Sequence, residues 1–150
     1  MTPAAKAALV AAAAVATDQA VKALVRSSVE RGEGVDLILG IEIVNVRNRG
    51  IAFGMFSSGG VLLVLFALVA LTALLVFFAR HRNRPLVWLP VGLLIGGATG
   101  NLIDRTREGG VTDFIDFPYW PAFNVADICI TFGVISLLYV LEGPPRRAEP

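Results

Sequence analysis

The chain has 150 residues, the size of one domain. It is 55% apolar with a mean hydropathy of +0.70, too apolar for an ordinary soluble protein of this length. A net charge of +1 supplies no basic field for nucleic acid, the single Cys129 excludes an internal disulfide or a cysteine metal cluster, and the single His81 excludes a His-rich metal site.

Four apolar stretches cover about 4–25, 61–79, 86–103 and 123–141. Each approaches the ~20 residues that span a bilayer core as a helix. Residues 1–150 are therefore predicted to form a single integral membrane domain. The first stretch has Lys6, an alanine run and Ala14-Val15-Ala16, features shared with cleaved signal peptides. Its helical pattern continues unchanged through Asp18 and Lys22, which predicts a retained helix.

An outer loop follows. Gly32 and Gly34 stop the helix, and β structure is predicted over about 35–56. The apolar face switches near Ile43-Val44, the mark of a bulge. Gly50 and Gly54 bracket Ile51-Ala52-Phe53 and permit sharp turns. This segment predicts a small sheet on the outer membrane surface. The second stretch is the most uniformly apolar, and it leads into Arg80-His81-Arg82-Asn83-Arg84. So short an arginine-dense link belongs in the cytoplasm by the positive-inside rule. Lys6 and Arg146-Arg147 agree, giving two cytoplasmic termini.

In the third stretch Gly92, Gly96 and Gly100 recur every four residues, with Gly97 beside them, a pattern that lets helices approach closely. Phe117, Tyr119 and Trp120 in the second outer link suit an interfacial aromatic belt. Gly143-Pro144-Pro145 ends the fourth stretch.

This topology puts every embedded charge at one level. Asp18 and Lys22 lie near the outer end of the first stretch, Asn101, Asp104 and Arg105 at that of the third, and Asn124 and Asp127 at that of the fourth. Ionisable groups at membrane depth are costly and usually functional. A shared site follows, with Asp113 and Asp127 as its candidate catalytic groups. Two close carboxyls share one proton, so one can take a proton from water while the other polarises a carbonyl. Such a pair hydrolyses peptides without metal or cofactor. The competing reading makes Asp113 a solvated loop acid and pairs Asp127 with Lys22 or Arg105. Spacing alone leaves both open.

Asp18 and Lys22, four apart, share a helix face and form an ion pair or shape the site. Arg105 can pair with Asp104 or another site acid. Asn48, Asn101 and Asn124 both donate and accept, which suits holding a peptide backbone or a carboxylate. Ser27, Ser28, Ser57 and Ser58 are on the outer side, away from His81, and a Ser–Lys dyad with Lys22 is a weaker alternative. Cys129 reads as a packing residue. Two other functional classes compete, a transporter or proton relay and a structural subunit; a transporter needs polar groups near the midplane or on both sides.

The blocks Asp18-Gln19-Ala20-Val21-Lys22, NVRNRGIAFG (45–54), GGATGNLIDR (96–105), VTDFIDF (111–117) and FNVADICI (123–130) resemble, in order, those of the bacterial lipoprotein signal peptidases, or signal peptidase II. Ile51, Thr99 and Ile128 depart from the family pattern at positions that touch substrate fit rather than catalysis. The resemblance implies a four-transmembrane-helix bundle with an extracytoplasmic β-cradle and a small outer helical element, in the bacterial plasma membrane. It implies an aspartyl endopeptidase that cuts diacylglyceryl-modified prolipoproteins just before the lipidated cysteine, beside membrane lipid and open to a globomycin-type inhibitor. Asp113 and Asp127 match the catalytic positions; Asp18, Lys22, Asn48, Gly97, Asn101, Asp104, Arg105, Asn124 and Ala126 match positions of the site or its support.

Overall fold

A computed structural model describes residues 1–50 and 59–142. The elements are α1 (Pro3–Ser28), β1 (Gly34–Ile38), β2 (Ile41–Asn48), α2 (Gly59–His81), α3 (Trp88–Glu108), β3 (Val111–Phe117), β4 (Trp120–Phe123) and α4 (Val125–Glu142). The expected turn at Ile51–Gly54, Ser57 and Ser58, the Gly143-Pro144-Pro145 stop and Arg146-Arg147 lie outside the described residues.

Local chemistry sets the helix ends. Thr2 caps α1 by accepting the Ala5 N–H at 3.2 Å, with Pro3 in the first turn. Gly109 closes α3 at φ +66°, a left-handed geometry that glycine adopts freely, and its N–H reaches the Arg105 carbonyl at 3.1 Å.

Helix α3 is the axis of the fold, packed between α1 and α4. The glycine spacing explains why. A Cβ at Gly92 would lie 2.8 Å from the Ala7 carbonyl oxygen, and one at Gly96 2.6 Å from the Ala14 Cβ, so these two glycines let α1 and α3 touch backbone to backbone. The matched order, Ala7 with Gly92 and Asp18 with Gly100, makes these helices parallel. Gly97 faces α4 instead, where a Cβ would meet the Ala126 oxygen at 2.5 Å. Gly133 of α4 receives Leu94, so α3 and α4 run antiparallel. Helix α2 packs chiefly on α3.

Burial is inverted relative to a soluble protein. Phe66 and Val69 of α2, Leu24 of α1 and Phe132 of α4 are each more than 60% exposed, while Asp18, Lys22 and Asn124 are fully buried. Among the described residues Pro3–Ser28, Val61–His81 and Val125–Glu142 are long and apolar enough to cross a membrane. Helix α3 is not in that set; its last turns carry Asp104, Arg105, Arg107 and Glu108.

The sheet is antiparallel in the order β1-β2-β3-β4. Where Ile43 pairs with Ile115 and Val46 with Asp113, β2 has spent one residue more than β3. That is the bulge marked by the switch of apolar face, and it leaves the adjacent Val44 and Asn45 both buried. The sequence pattern assigns no strand to the second outer link, which the structure instead folds into the β3–β4 hairpin, turning at Pro118-Tyr119. The reason is burial on both faces: Val111, Thr112, Asp113 and Phe114 are all buried, so the alternation that marks a half-buried strand is absent. Among the described residues no helix lies outside α1–α4, so the small outer helical element implied by the resemblance is not found there.

Candidate active site

Three elements deliver the two aspartates to one place. Strand β3 carries Asp113, which is 3% exposed. Asn48, at the end of β2, pairs with Val111 and so sits diagonally across from Asp113 on the same face. Its Nδ2 donates to Asp113 Oδ2 at 2.9 Å. The other oxygen, Oδ1, accepts from Asn124 Nδ2 at 2.7 Å.

Asn124 also starts α4. Its Oδ1 accepts the Asp127 N–H at 3.0 Å, and its own N–H donates to Asp127 Oδ2 at 3.2 Å. This reciprocal cap satisfies two helix-end donors and fixes the Asp127 side chain. One asparagine is thus bonded to both aspartates. The Asn-x-x-Asp spacing ahead of an apolar run was the available signal for this cap; it shifts the helix start from about 123 to Val125.

Asn101 of α3 lies beneath. Its Nδ2 donates to Asp127 Oδ1 at 2.8 Å, and its Oδ1 accepts from Asn124 Nδ2 at 3.2 Å and from Lys22 Nζ at 3.0 Å. Lys22 is fully buried and ion-paired with Asp18 Oδ2 at 2.8 Å and Asp104 Oδ2 at 3.1 Å. The ion pair expected between Asp18 and Lys22 is therefore present, with Asp104 added to it. Gly100 makes room, since a Cβ there would sit 2.6 Å from Asp18 Oδ2. Ala126 is fully buried, its N–H directed to Asp18 Oδ1 at 2.9 Å.

Burial pushes the Asp113 carboxyl above its usual range. The negative Asp127 adds to the rise, while the N–H groups of Asn48 and Asn124 and the Lys22 charge oppose it without cancelling it. The reading of Asp113 as a solvated loop acid does not survive its burial. Nor does the alternative pairing of Asp127, because among the described residues neither Lys22 nor Arg105 makes an ion pair with it. Arg105 does not pair with Asp104 either; its Nη1 donates to the Asn101 carbonyl at 3.4 Å.

Gln19 escaped the sequence reading. Its Nε2 reaches Asp104 Oδ1 at 3.0 Å and Asp18 Oδ2 and the Gly100 carbonyl at 3.2 Å each. Its one signal was a polar residue inside an apolar helix next to Asp18. Arg26 was also missed; its Nη1 donates to Thr112 Oγ1 at 3.1 Å.

A cavity of about 480 Å³ opens beside the pair between α2, α3 and α4. Leu63, Phe66, Leu71 and Leu94 line its apolar length, and Asn101, Arg105 and Asp127 line its polar end. Among the described residues no three His, Cys, Asp or Glu side chains could hold a metal ion.

A profile of the family described as Signal peptidase (SPase) II matches residues 10–142. The chain belongs to the signal peptidase II family. This is a family of aspartic peptidases, and the protein is a membrane enzyme of that type. The lipoprotein signal peptidase of Halothermothrix orenii is 39% identical over 125 residues, covering 83% of this chain and 86% of its own. That of Syntrophomonas wolfei is 41% identical over 133 residues, covering 88% and 89%. A bacterial membrane enzyme solved by the in meso method at 1.9 Å superposes with a TM-score of 0.83 at 32% identity, over 90% of this chain and 91% of that one.

Proposed function

We propose that this signal peptidase II cleaves diacylglyceryl-modified prolipoproteins immediately before the lipidated cysteine, with Asp113 and Asp127 as its catalytic pair. The observation that carries the assignment is Asn124, hydrogen-bonded at once to both carboxylates and so holding them as neighbours. In the reaction the ionised carboxyl removes a proton from water, and the resulting hydroxide adds to the scissile carbonyl. The protonated carboxyl gives its proton to the carbonyl oxygen. As the gem-diol intermediate collapses, one of its hydroxyls returns a proton to the ionised carboxyl, the leaving nitrogen takes the proton held by the other, and the C–N bond breaks, so the pair again shares one proton. The raised Asp113 suits the protonated partner.

Residues 1–150 act as one integral membrane domain, with α3 as a fourth spanning helix whose polar end is sheathed by α1, α4 and the sheet. Both termini are cytoplasmic and the site lies on the extracytoplasmic side of the bacterial plasma membrane. Support comes from the opposite end of the bundle. There Lys6 Nζ stacks over Trp88 at 5.3 Å, at the same level as the Arg80–Arg84 link, whereas Asp18, Lys22, Asn101 and Asp104 gather at the other end. The sheet forms the outer cradle of the site. The apolar cavity accommodates a lipid-bearing substrate segment next to membrane lipid, Arg105 marks its polar mouth, and a globomycin-type cyclic peptide competes there. Neither nucleic acid nor a cofactor takes part.

The deciding experiment is a cleavage assay on a diacylated prolipoprotein with purified wild type, Asp113→Asn and Asp127→Asn, each with and without globomycin. Both variants should insert into membranes and leave the substrate intact. Normal cleavage by either one removes the assignment.

A further inference from the structure

Two backbone hydrogen bonds flank the aspartate pair in the same way. Asp18 Oδ1 accepts the N–H of Ala126, the residue before Asp127, at 2.9 Å. Asp104 Oδ2 accepts the N–H of Thr112, the residue before Asp113, at 3.0 Å. Both carboxylates share one buried cation, Lys22, whose Nζ lies 2.8 Å from Asp18 and 3.1 Å from Asp104; Asp104 also has the partly exposed Arg26 at 4.0 Å. Its remaining contact is Asn101 Oδ1 at 3.0 Å. An ammonium has three N–H donors, so Lys22 is saturated.

The third contact has a directional effect. Lys22 can only donate, so the face of the Asn101 amide turned toward it must be the oxygen. The Asn101 NH₂ is then forced toward Asp127, where it donates at 2.8 Å. Three arms leave Lys22: one ends on α4 beside Asp127, one on β3 beside Asp113, and one on the Asp127 carboxylate itself.

We propose that Lys22 is a positioning residue for the peptidase reaction, fixing the spacing of α4 and β3 through Asp18 and Asp104 and the hydrogen-bond direction at Asp127 through Asn101. This rests on the reading of Asp113 and Asp127 as the catalytic pair. Lys22 makes no ion pair with either aspartate among the described residues, so beyond the weak pull of its charge on Asp113 it acts through the groups it holds. Joining α1 to α3 does not require it, because Gly92 and Gly96 already provide close apolar contact. A buried charge is a costly way to join helices, and well-packed apolar residues often do as well. What apolar packing cannot do is accept two backbone N–H groups and orient an amide.

The test uses the full chain in detergent with a diacylated prolipoprotein substrate. Lys22→Met leaves buried Asp18 without a cation and Asp104 with only Arg26 at 4.0 Å, so it is paired with the triple variant Asp18→Asn/Lys22→Met/Asp104→Asn. The triple variant keeps an acceptor oxygen for each N–H and leaves no fully buried orphan charge; Arg26, 28% exposed, loses only a 4.0 Å contact. Lys22→Met should lower kcat by about 100-fold with KM unchanged, the size of effect expected when reacting groups move by about 1 Å. Amide hydrogen exchange at Ala126 and Thr112 should accelerate by about tenfold or more over the rest of the bundle. The triple variant should recover the wild-type thermal midpoint while kcat stays depressed, because Asn101 is no longer oriented. A triple variant that folds and cleaves at the wild-type rate overturns the proposal and leaves Lys22 a charge-balancing residue. So does a rise in KM at constant kcat, or unchanged exchange at both amides. If wild-type protein fails to cut the substrate, the peptidase reading falls, and the exchange rates still decide the clamp.

Discussion

Asn124 and Asp127 cap each other: the Asn124 Oδ1 accepts the Asp127 N–H at 3.0 Å and Asp127 Oδ2 accepts the Asn124 N–H at 3.2 Å. The candidate catalytic carboxylate is therefore also part of a helix terminus, and its position is set by backbone geometry. Substitutions should separate the two roles. Asp127→Asn keeps an acceptor oxygen for the cap, so α4 should stay intact while cleavage is lost. Asn124→Ala removes the cap and the bond to Asp113, so it should cost about 0.5–2 kcal/mol of stability in addition to activity. Thermal unfolding and turnover, measured on the same preparations, check both.

The raised Asp113 carboxyl predicts a pH signature. A group whose folded pKa lies above its unfolded one stabilises the fold while protonated, and that contribution is lost as pH rises through the raised value. Asp113→Asn cannot ionise. The thermal midpoint of wild type, measured against that of Asp113→Asn, should thus decline as pH climbs above the ordinary value of 3.8. The same titration removes the shared proton, so cleavage should fall on the alkaline side. A difference in midpoint that stays flat with pH contradicts the burial argument.

Much of this architecture is readable from the chain, and the reasons for success and failure differ. Helices α1, α2 and α4 announce themselves because lipid demands long apolar runs. The convergence of Asp18, Lys22, Asn101, Asp104, Asn124 and Asp127 follows from topology, which places one end of α1, α3 and α4 together. The bulge in β2 shows through its shift in pattern because only one face of that strand is fully covered. Strand β3 was hidden by the opposite circumstance, cover on both faces. The added pairing of Lys22 with Asp104 and the hydrogen-bond direction of Asn101 were equally hidden, since they depend on which of several nearby acceptors each donor reaches.

Gly97 separates α3 from α4 at the level of the site. An added Cβ would come within 2.5 Å of the Ala126 oxygen and 2.8 Å of Ile130 Cγ1. Neither helix backbone yields easily, so Gly97→Ala should push α4 away from α3 and stretch the Asn101–Asp127 bond. We expect a loss of about 1–3 kcal/mol in stability, typical of overpacking, and a larger proportional loss of kcat. Unfolding and turnover measurements on the purified variant test this.

Chelators should leave cleavage unchanged. Each oxygen of Asp113 and Asp127 already accepts an N–H, from Asn48 and Asn124 or from Asn101 and the Asn124 backbone. A cation placed there would face these donors as well as the carboxylates, an arrangement opposite to a metal shell. Assays with and without a strong divalent chelator measure this directly, and inhibition reversed by added metal would contradict it.

The cavity makes a last prediction, about binding rather than chemistry. Ala98 lines it on α3, away from the hydrogen bonds that hold the aspartates. Ala98→Phe should fill part of the roughly 480 Å³ without touching the network. If that space receives the apolar part of the substrate, KM should rise by about tenfold while kcat at saturation changes little, since uniform binding is lost and transition-state contacts are kept. The inhibitor should weaken in parallel, because it competes for the same volume. A variant with normal KM and normal inhibition would show that the substrate approaches Asp127 from the other side, along Trp120, Phe123 and Phe132, which line a second opening beside it.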